Sequence, residues 1–219
     1  EGGDAEFYHD HEVNETVNIP INNPAGAKTV KLTIAYLDAG NNWWWAIDNL
    51  ILAGEPEPIF AENFDSLELD AFESSSETGG DGTDWTADTP TGWVMTRADD
   101  HGPTADGDAV KEFDGWTFMD PGSWNATVGQ DRAEFTKGTG VIAVGDSDEY
   151  DDLADAKFNA SLSTPAFSLD GVAAGTAILV YDSSWRQEPQ NGTVSVSFDG
   201  GDPITLLTLT PDTPTAYNE

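Results

Sequence analysis

The sequence predicts an all-β protein in which two antiparallel sheets pack as a β-sandwich. Short alternating or apolar runs recur along the 219 residues, with Gly, Pro, Asn and Asp between them, whereas helical periodicity is almost absent. Aromatic residues make up 11% of the chain, which is enough to fill a sizeable core. Strands at this spacing most commonly form two packed antiparallel sheets.

The individual strands are predicted from the alternation of apolar and polar residues. They occupy residues 12–19, 29–36, 43–52, 92–96, 140–144, 177–181, 192–198 and 204–208. The run FAENFDSL at residues 60–67 supplies a further opening strand. The turn LDAGNN predicts a β-hairpin between the second and third strands, and the turn at residues 198–202 predicts another hairpin. Short helical turns are predicted at residues 120–124 and 131–135.

The charge of the chain excludes whole classes of partner. Acidic residues number 41 against 8 basic ones, which gives a formal charge of −33. A polyanion is repelled by such a chain, so a general nucleic-acid binder is excluded, and docking on anionic lipid is disfavoured. No apolar run approaches the roughly 20 residues of a membrane helix, so membrane insertion is not expected. The excess of carboxylates is typical of a secreted protein exposed to salt, and we expect an extracellular or cell-surface location.

Cysteine is absent, which rules out thiolate catalysis and Cys-based zinc sites. A signal peptide is not visible, and the sequence begins with Glu1, as expected of a mature or trimmed piece.

The chain is expected to have three parts. Residues 1–54 form a short block with three or four predicted strands, which is too few to bury much core alone. Residues 55–59 form an acidic linker that contains proline. Residues 60–219 form the main sandwich, which has its own opening strand but no evident closing hairpin.

Several motifs of the longer part occur together in one known type of domain. They are ENFDSL, DWTADTPTGWVM, FDGWTFMDPGSW, SLSTPAFSLDG and AILVYDSSWRQE. With them the chain resembles the jelly-roll domains of secreted bacterial proteins, of the MAM-like, choice-of-anchor and cleaved-adhesin type. Such domains commonly end in W-x-I-D-N followed by an apolar residue, which here is residues 45–50, WAIDNL. The resemblance covers most of the chain and implies an antiparallel jelly-roll sandwich whose closing strands lie N-terminally.

The order of these segments departs from the pattern of the family, because the closing segment precedes the opening one. Three explanations fit. The chain is a window of a tandem array of identical domains, or a circular permutant that closes on itself. In the third explanation, residues 1–54 complete the jelly roll of a neighbouring copy, and such head-to-tail exchange generates a fibre unless it closes into a ring.

The third explanation assigns assembly contacts to the closing segment. The candidate assembly residues are its apolar side chains, Trp43, Trp44, Trp45, Ile47 and Leu50. On a strand, Trp44 is expected to face opposite Trp43 and Trp45. One face then belongs to the core, and a sugar, a neighbouring subunit or a loop of the same domain must cover the other.

Calcium is the predicted cofactor, because it is bound by clustered oxygen ligands. Residues 145–152, GDSDEYDD, supply Asp146, Asp148 and Asp151 as candidate ligands, although a solvated acidic loop is the alternative interpretation. The resemblance adds a structural calcium near the first strand and the closing aspartate. It therefore implies Asp48 and Asp65 as ligands that tie the closing segment to its acceptor.

No catalytic residues are predicted. Carboxylates are so abundant that a pair for glycoside hydrolysis carries no information, and a G-x-S-x-G motif is missing. The pair of His9 and His11 is interpreted as a polar strand end rather than a metal site. The sequence therefore predicts a structural or adhesive protein that assembles head-to-tail with copies of itself. The alternative is a carbohydrate-binding or accessory module of a secreted hydrolase, with glycans as its partners.

Four sequons mark candidate glycosylation sites. They lie at Asn14, Asn125, Asn159 and Asn191.

Overall fold

A computed structural model describes residues 14–71, 84–97, 111–128, 131–150, 157–186 and 188–210. In this part of the chain, thirteen strands form two antiparallel sheets that pack as a sandwich, with only short helices beside them. The prediction of an all-β sandwich is confirmed.

The secondary-structure elements follow one another in a regular order. The strands are β1 (Glu15–Pro20), β2 (Thr29–Ala39), β3 (Trp44–Ala53), β4 (Phe60–Glu62), β5 (Trp85–Thr86), β6 (Val94–Arg97), β7 (Thr117–Met119), β8 (Ile142–Asp146), β9 (Phe158–Ser163), β10 (Phe167–Ser168), β11 (Ile178–Trp185), β12 (Asn191–Phe198) and β13 (Ile204–Leu209). The helices are α1 (Pro121–Val128) and α2 (Ser147–Tyr150), with 3-10 turns at Lys111–Phe113 and Arg132–Glu134.

The strands β2 and β3 lie in the middle of the two sheets. The first sheet has the order β1-β11-β3-β8-β7-β5, and β4 also pairs with β3, beyond the end of β8. The second sheet has the order β13-β12-β2-β9-β6, and β10 also pairs with β2. The two strands of residues 1–54 that bury most core therefore have partners on both edges, all of them from residues 60–210.

The predicted hairpin between β2 and β3 is wrong, because the two strands lie in different sheets. Asp38 and Asn41 have φ angles of +60° and +48°, and the chain between them turns from one sheet to the other. Turn residues alone do not tell such an arch from a hairpin. The edges of β2 and β3 are taken by strands more than 90 residues away in the chain, such as β9, β11 and β12.

Other local predictions are confirmed. The strands β12 and β13 form the expected hairpin, and the carboxylate of Asp199 in its turn accepts the amides of Lys28 and Thr29 at 2.8 and 2.9 Å. The two helical turns are found as α1 and the 3-10 turn Arg132–Glu134. Residues 54–59 form the turn between β3 and β4, in which the amide of Ile59 donates to the carbonyl of Leu52 at 2.7 Å.

Candidate assembly site

The N-terminal segment, meaning residues 14–53, is seated in the body, meaning the described residues from 60 onward. In β3, Trp45 lies opposite Trp185 and Ile47 opposite Ser183, both in β11. On its other edge, Trp44 lies opposite Asp146 in β8. The predicted assembly residues are all buried in the chain's own sandwich, with 8% exposure for Trp43 and 0% for Trp44, Trp45, Ile47 and Leu50.

Trp45 fills the space between the sheets. Its ring centroid lies 5.7 Å from those of Trp116 and Trp185, and the Trp185 contact is edge-to-face. The indole N–H of Trp45 donates to the hydroxyl of Ser183 at 3.1 Å. Tyr36 of β2 meets Trp185 edge-on at 5.9 Å, so aromatic contacts join both sheets through this segment.

Trp44 points to the opposite face of the first sheet, and a layer of the same chain covers it. Trp124 of α1 meets the ring of Trp44 edge-on at 5.5 Å. The indole N–H of Trp44 donates to the hydroxyl of Ser184 at 3.0 Å. Two guanidinium groups lie over the ring as well, with the Cζ of Arg132 at 4.6 Å and that of Arg186 at 5.1 Å from the centroid. Of the three groups expected to cover this face, a sugar, a neighbouring subunit or a loop of the same domain, the structure therefore shows the same domain.

Trp43 lies with Trp44 and not with Trp45, which corrects the predicted alternation. Its ring meets that of Trp44 edge-on at 5.7 Å, and the Cζ of Arg186 lies 3.6 Å from its centroid. The reason is that β3 begins at Trp44, so Trp43 belongs to the preceding turn and is not bound by strand alternation.

Arg132 is held in place by three carboxylates. Its Nε donates to Asp146 at 3.0 Å, and its Nη2 lies 3.2 Å from Asp148 and 3.0 Å from Glu149. Trp124 donates its indole N–H to the same Asp146 carboxylate at 2.8 Å. Burial opposes the charge of Arg132, but the three carboxylates outweigh burial and raise its pKa.

Two acidic residues close to Arg186 in the sequence, Asp182 and Glu188, contact the N-terminal segment. Asp182 accepts hydrogen bonds from Thr16 at 2.6 Å and from Asn49 at 3.0 Å. Glu188 accepts one from the side chain of Asn42 at 3.1 Å. Each of these contacts joins the body to the N-terminal segment.

The resemblance implied Asp48 and Asp65 as calcium ligands. Both carboxylates accept hydrogen bonds from the backbone of one loop, at residues 139–141. Asp48 accepts the amide of Thr139 at 3.0 Å, and Asp65 accepts the amide of Val141 at 2.9 Å. Asp48 is fully buried. Burial, with the nearby charges of Asp65 and Asp182, outweighs two amide hydrogen bonds and raises its pKa to about 6.

Two of the calcium ligands predicted in the acidic loop lie against Arg132. Asp146 and Asp148 neutralise Arg132, as described above, and Asp151 lies outside the described residues. Among the residues that the structure describes, no group of three or more His, Cys, Asp or Glu side chains is arranged to hold a metal ion. His9 and His11 lie outside this part of the chain.

The four sequons are not equally accessible. Asn159 is only 8% exposed, and its side-chain oxygen accepts the amide of Asp38 at 2.9 Å. The side-chain amides of Asn14 and Asn191 donate to Thr136 and to Asp38, respectively. Asn125, in α1, is half-buried.

A sugar-stacking platform would need an exposed aromatic ring. Each of the eight tryptophans is at most 8% exposed, and the rings of Tyr36, Tyr150 and Tyr181 are buried too. A shallow pocket of about 240 Å³ at the β3–β4 pair is lined by Asn49, Leu50, Ile51, Ala61, Glu62 and Asn63, without an aromatic side chain.

The roles of Arg132 and Arg186 were missed by sequence reasoning. The sequence offered one indirect signal, the scarcity of arginine, of which the chain has three. Two of the three are buried in this structure.

Comparison of the chain with family models, with curated proteins and with solved structures gives no match. Each helix among the described residues falls short of the length and apolarity that a membrane span requires.

Proposed function

We propose that this protein is an extracellular structural or adhesive module of the jelly-roll type that joins copies of itself head-to-tail through its N-terminal segment. The observation that supports the proposal is topological. One terminal segment supplies the central strand of both sheets, and only residues 54–59 connect it to the body.

The body without this segment has open strand edges in both sheets. Without β3, the facing edges of β11 and β8 lose their partner, and without β2 the facing edges of β12 and β9 do. Each open edge presents a row of backbone donors and acceptors that favours pairing with another strand. A segment of a second copy can make the same contacts, since all of them lie between the segment and the body.

The connection between β3 and β4 decides between closure within one chain and exchange between copies. In the closed form, residues 54–59 turn back so that Leu52 pairs with Phe60 and Ile51 with Ala61. A short connection gives the closed form a high effective concentration, so exchange is favoured where copies are crowded or where the turn is disfavoured. High protein concentration at a cell surface is such a condition.

Disulfide trapping tests the proposal directly, because the chain has no cysteine of its own. Lys31 and Ser197 are cross-strand partners of β2 and β12 and are half-buried. Antiparallel partners have Cα separations that a disulfide can span. In the double variant Lys31→Cys/Ser197→Cys, exchange gives a ladder of linked chains on non-reducing denaturing gels. A single monomer band at every protein concentration would exclude exchange.

A matched pair within the body provides the control. Thr193 and Thr208 are partners of β12 and β13, so Thr193→Cys/Thr208→Cys links residues of the same chain in either form. Deleting residues from 54–59 is expected to shift the monomer towards the ladder, because a connection too short to turn back prevents closure within one chain. Electron microscopy of the native protein then shows whether exchange produces filaments.

Stabilisation by calcium is part of the same proposal. Asp48 of the segment and Asp65 of the body approach one loop, and their mutual repulsion is what a divalent cation would relieve. The fit is partial, since both carboxylates already accept backbone amides. We expect a chelator to lower the melting temperature and Asp48→Asn to remove that effect. Unchanged melting with chelator, together with no calcium by elemental analysis, would exclude it.

A further inference from the structure

The contact between the segment and the body includes a specific recognition element, which we call the arginine clamp and define as Arg132 and Arg186. Both arginines belong to the body and are at most 4% exposed. Their guanidinium groups face the rings of Trp43 and Trp44, at distances of 3.6 to 5.1 Å. We propose that the arginine clamp selects the segment that completes the sandwich by accepting two adjacent indoles at positions 43 and 44.

The chemistry of the clamp favours electron-rich rings. A guanidinium over an indole face is stabilised by the ring quadrupole, and the gain is larger when both groups are removed from water. Both arginines and both indoles are buried here. A segment with aliphatic residues at these positions would fill space but leave the guanidinium faces without their electrostatic partner.

The clamp also excludes the side chains that are commonest in this protein. Acidic residues number 41 of 219. Arg132 is already paired with Asp146, Asp148 and Glu149, so an acidic side chain at position 44 would bring a fourth negative charge into a buried site. The partner is therefore an extended segment with paired indoles, supplied by the same chain or, given the proposed function, by a second copy of it.

A double-mutant cycle in the full chain tests the clamp. The cycle combines Trp43→Leu with Arg186→Met, because this pair has the shortest guanidinium–ring distance, 3.6 Å. Urea unfolding gives the factor by which Trp43→Leu raises the unfolding equilibrium constant. We expect this factor to be at least about threefold smaller when Arg186 is already replaced by Met. Additivity within about twofold would overturn the proposal.

The control cycle uses Trp93, which is buried to the same degree, at 7% exposure, and contacts Phe60 and Phe64. Trp93→Leu and Arg186→Met are expected to be additive. Equal coupling in both cycles would mean a general loss of packing and would also overturn the clamp. If Arg186→Met does not fold, Arg186→Gln removes the positive charge but keeps a planar polar group, and the same decrease in the effect of Trp43→Leu is expected.

The cycle does not depend on which chain supplies the segment. Coupling together with only intrachain disulfide links would keep the clamp and exclude exchange. Additivity together with a ladder of linked chains would keep exchange and exclude the clamp. The two proposals can therefore fail separately.

Discussion

Replacing Asp48 by Asn is expected to change how the stability of the protein depends on pH. Asp48 is buried in β3 and accepts the amides of Asn49 and Thr139 at 2.6 and 3.0 Å. Asn is nearly isosteric and cannot ionise, so the variant keeps the shape of the site and removes its charge. The variant also has one hydrogen-bond acceptor fewer, which lowers its stability at every pH. The informative quantity is therefore the slope of the unfolding free energy against pH.

The sign follows from the direction of the shift. The pKa of Asp48 rises from 3.8 in the unfolded chain to about 6 in the folded protein, so the folded state binds the proton more tightly. Stability due to this group is present below pH 3.8 and is lost as the pH rises to about 6. The loss is at most about 3 kcal/mol, and solvent screening reduces it to about 1–2 kcal/mol.

The assay is urea unfolding at a series of pH values in buffers without divalent cations. We expect the stability difference between the parent protein and Asp48→Asn to fall with rising pH across this window and then to level off. Asp199→Asn supplies a control of opposite sign. Amide hydrogen bonds from Lys28 and Thr29 lower the pKa of Asp199, so its contribution is lost as the pH falls. Parallel pH profiles for the parent and Asp48→Asn would refute the reasoning.

Two further substitutions test the surroundings of the segment, both by urea unfolding. Gly140→Ala is expected to cost about 1–3 kcal/mol, because φ is +68° and a Cβ would overlap the Asp65 carboxylate. Gly171→Ala also places a side chain at a positive φ, +88°, but with open space around its Cβ, so equal losses in both variants would contradict the role of the Asp65 contact. Arg132→Met is expected to cost about 3–5 kcal/mol by leaving buried carboxylates unpaired. Arg97→Met, at a side chain 43% exposed, should cost about 1 kcal/mol or less, and a similar loss in both would contradict this account.

The sequence predicted local structure well where side-chain alternation was strong. In the strand predicted at residues 29–36, Val30, Leu32, Ile34 and Tyr36 occupy alternate positions, and all four are buried. Period-two alternation specifies which face of a strand is buried, because successive side chains point to opposite sides. It does not specify which strands lie beside it.

The sequence did not predict which strands pair with one another in the sheets. The wrong hairpin shows why, because β2 and β3 are adjacent in sequence and each finds better partners far along the chain. In β12, for example, Val194 lies opposite Ile34, a separation of 160 residues. The energy of such pairing comes from cross-strand contacts that no local pattern encodes.

The sequence predicted the indoles of the candidate site but not the arginines that contact them. The indoles of the segment stand out in the sequence as three consecutive tryptophans. Arg132 and Arg186 do not, because each is a single residue whose role depends on burial against a distant strand. Arg132 reaches Trp44 through a 3-10 turn that covers the outer face of the first sheet.

The start and the middle of β3 are held by opposite electrostatics. At the start of β3, the arginine clamp has a charge that does not change over the physiological pH range. In the middle of β3, burial and the charges of Asp65 and Asp182 raise the pKa of Asp48 to about 6, so the contacts of this residue are sensitive to protons. Asp48 is also nearer in the chain than the two clamped indoles to residues 54–59. Conditions that charge Asp48 are therefore expected to weaken the second half of β3 more than the contacts of the clamp. Under the proposed exchange between copies, we expect opening to begin in that half of the strand.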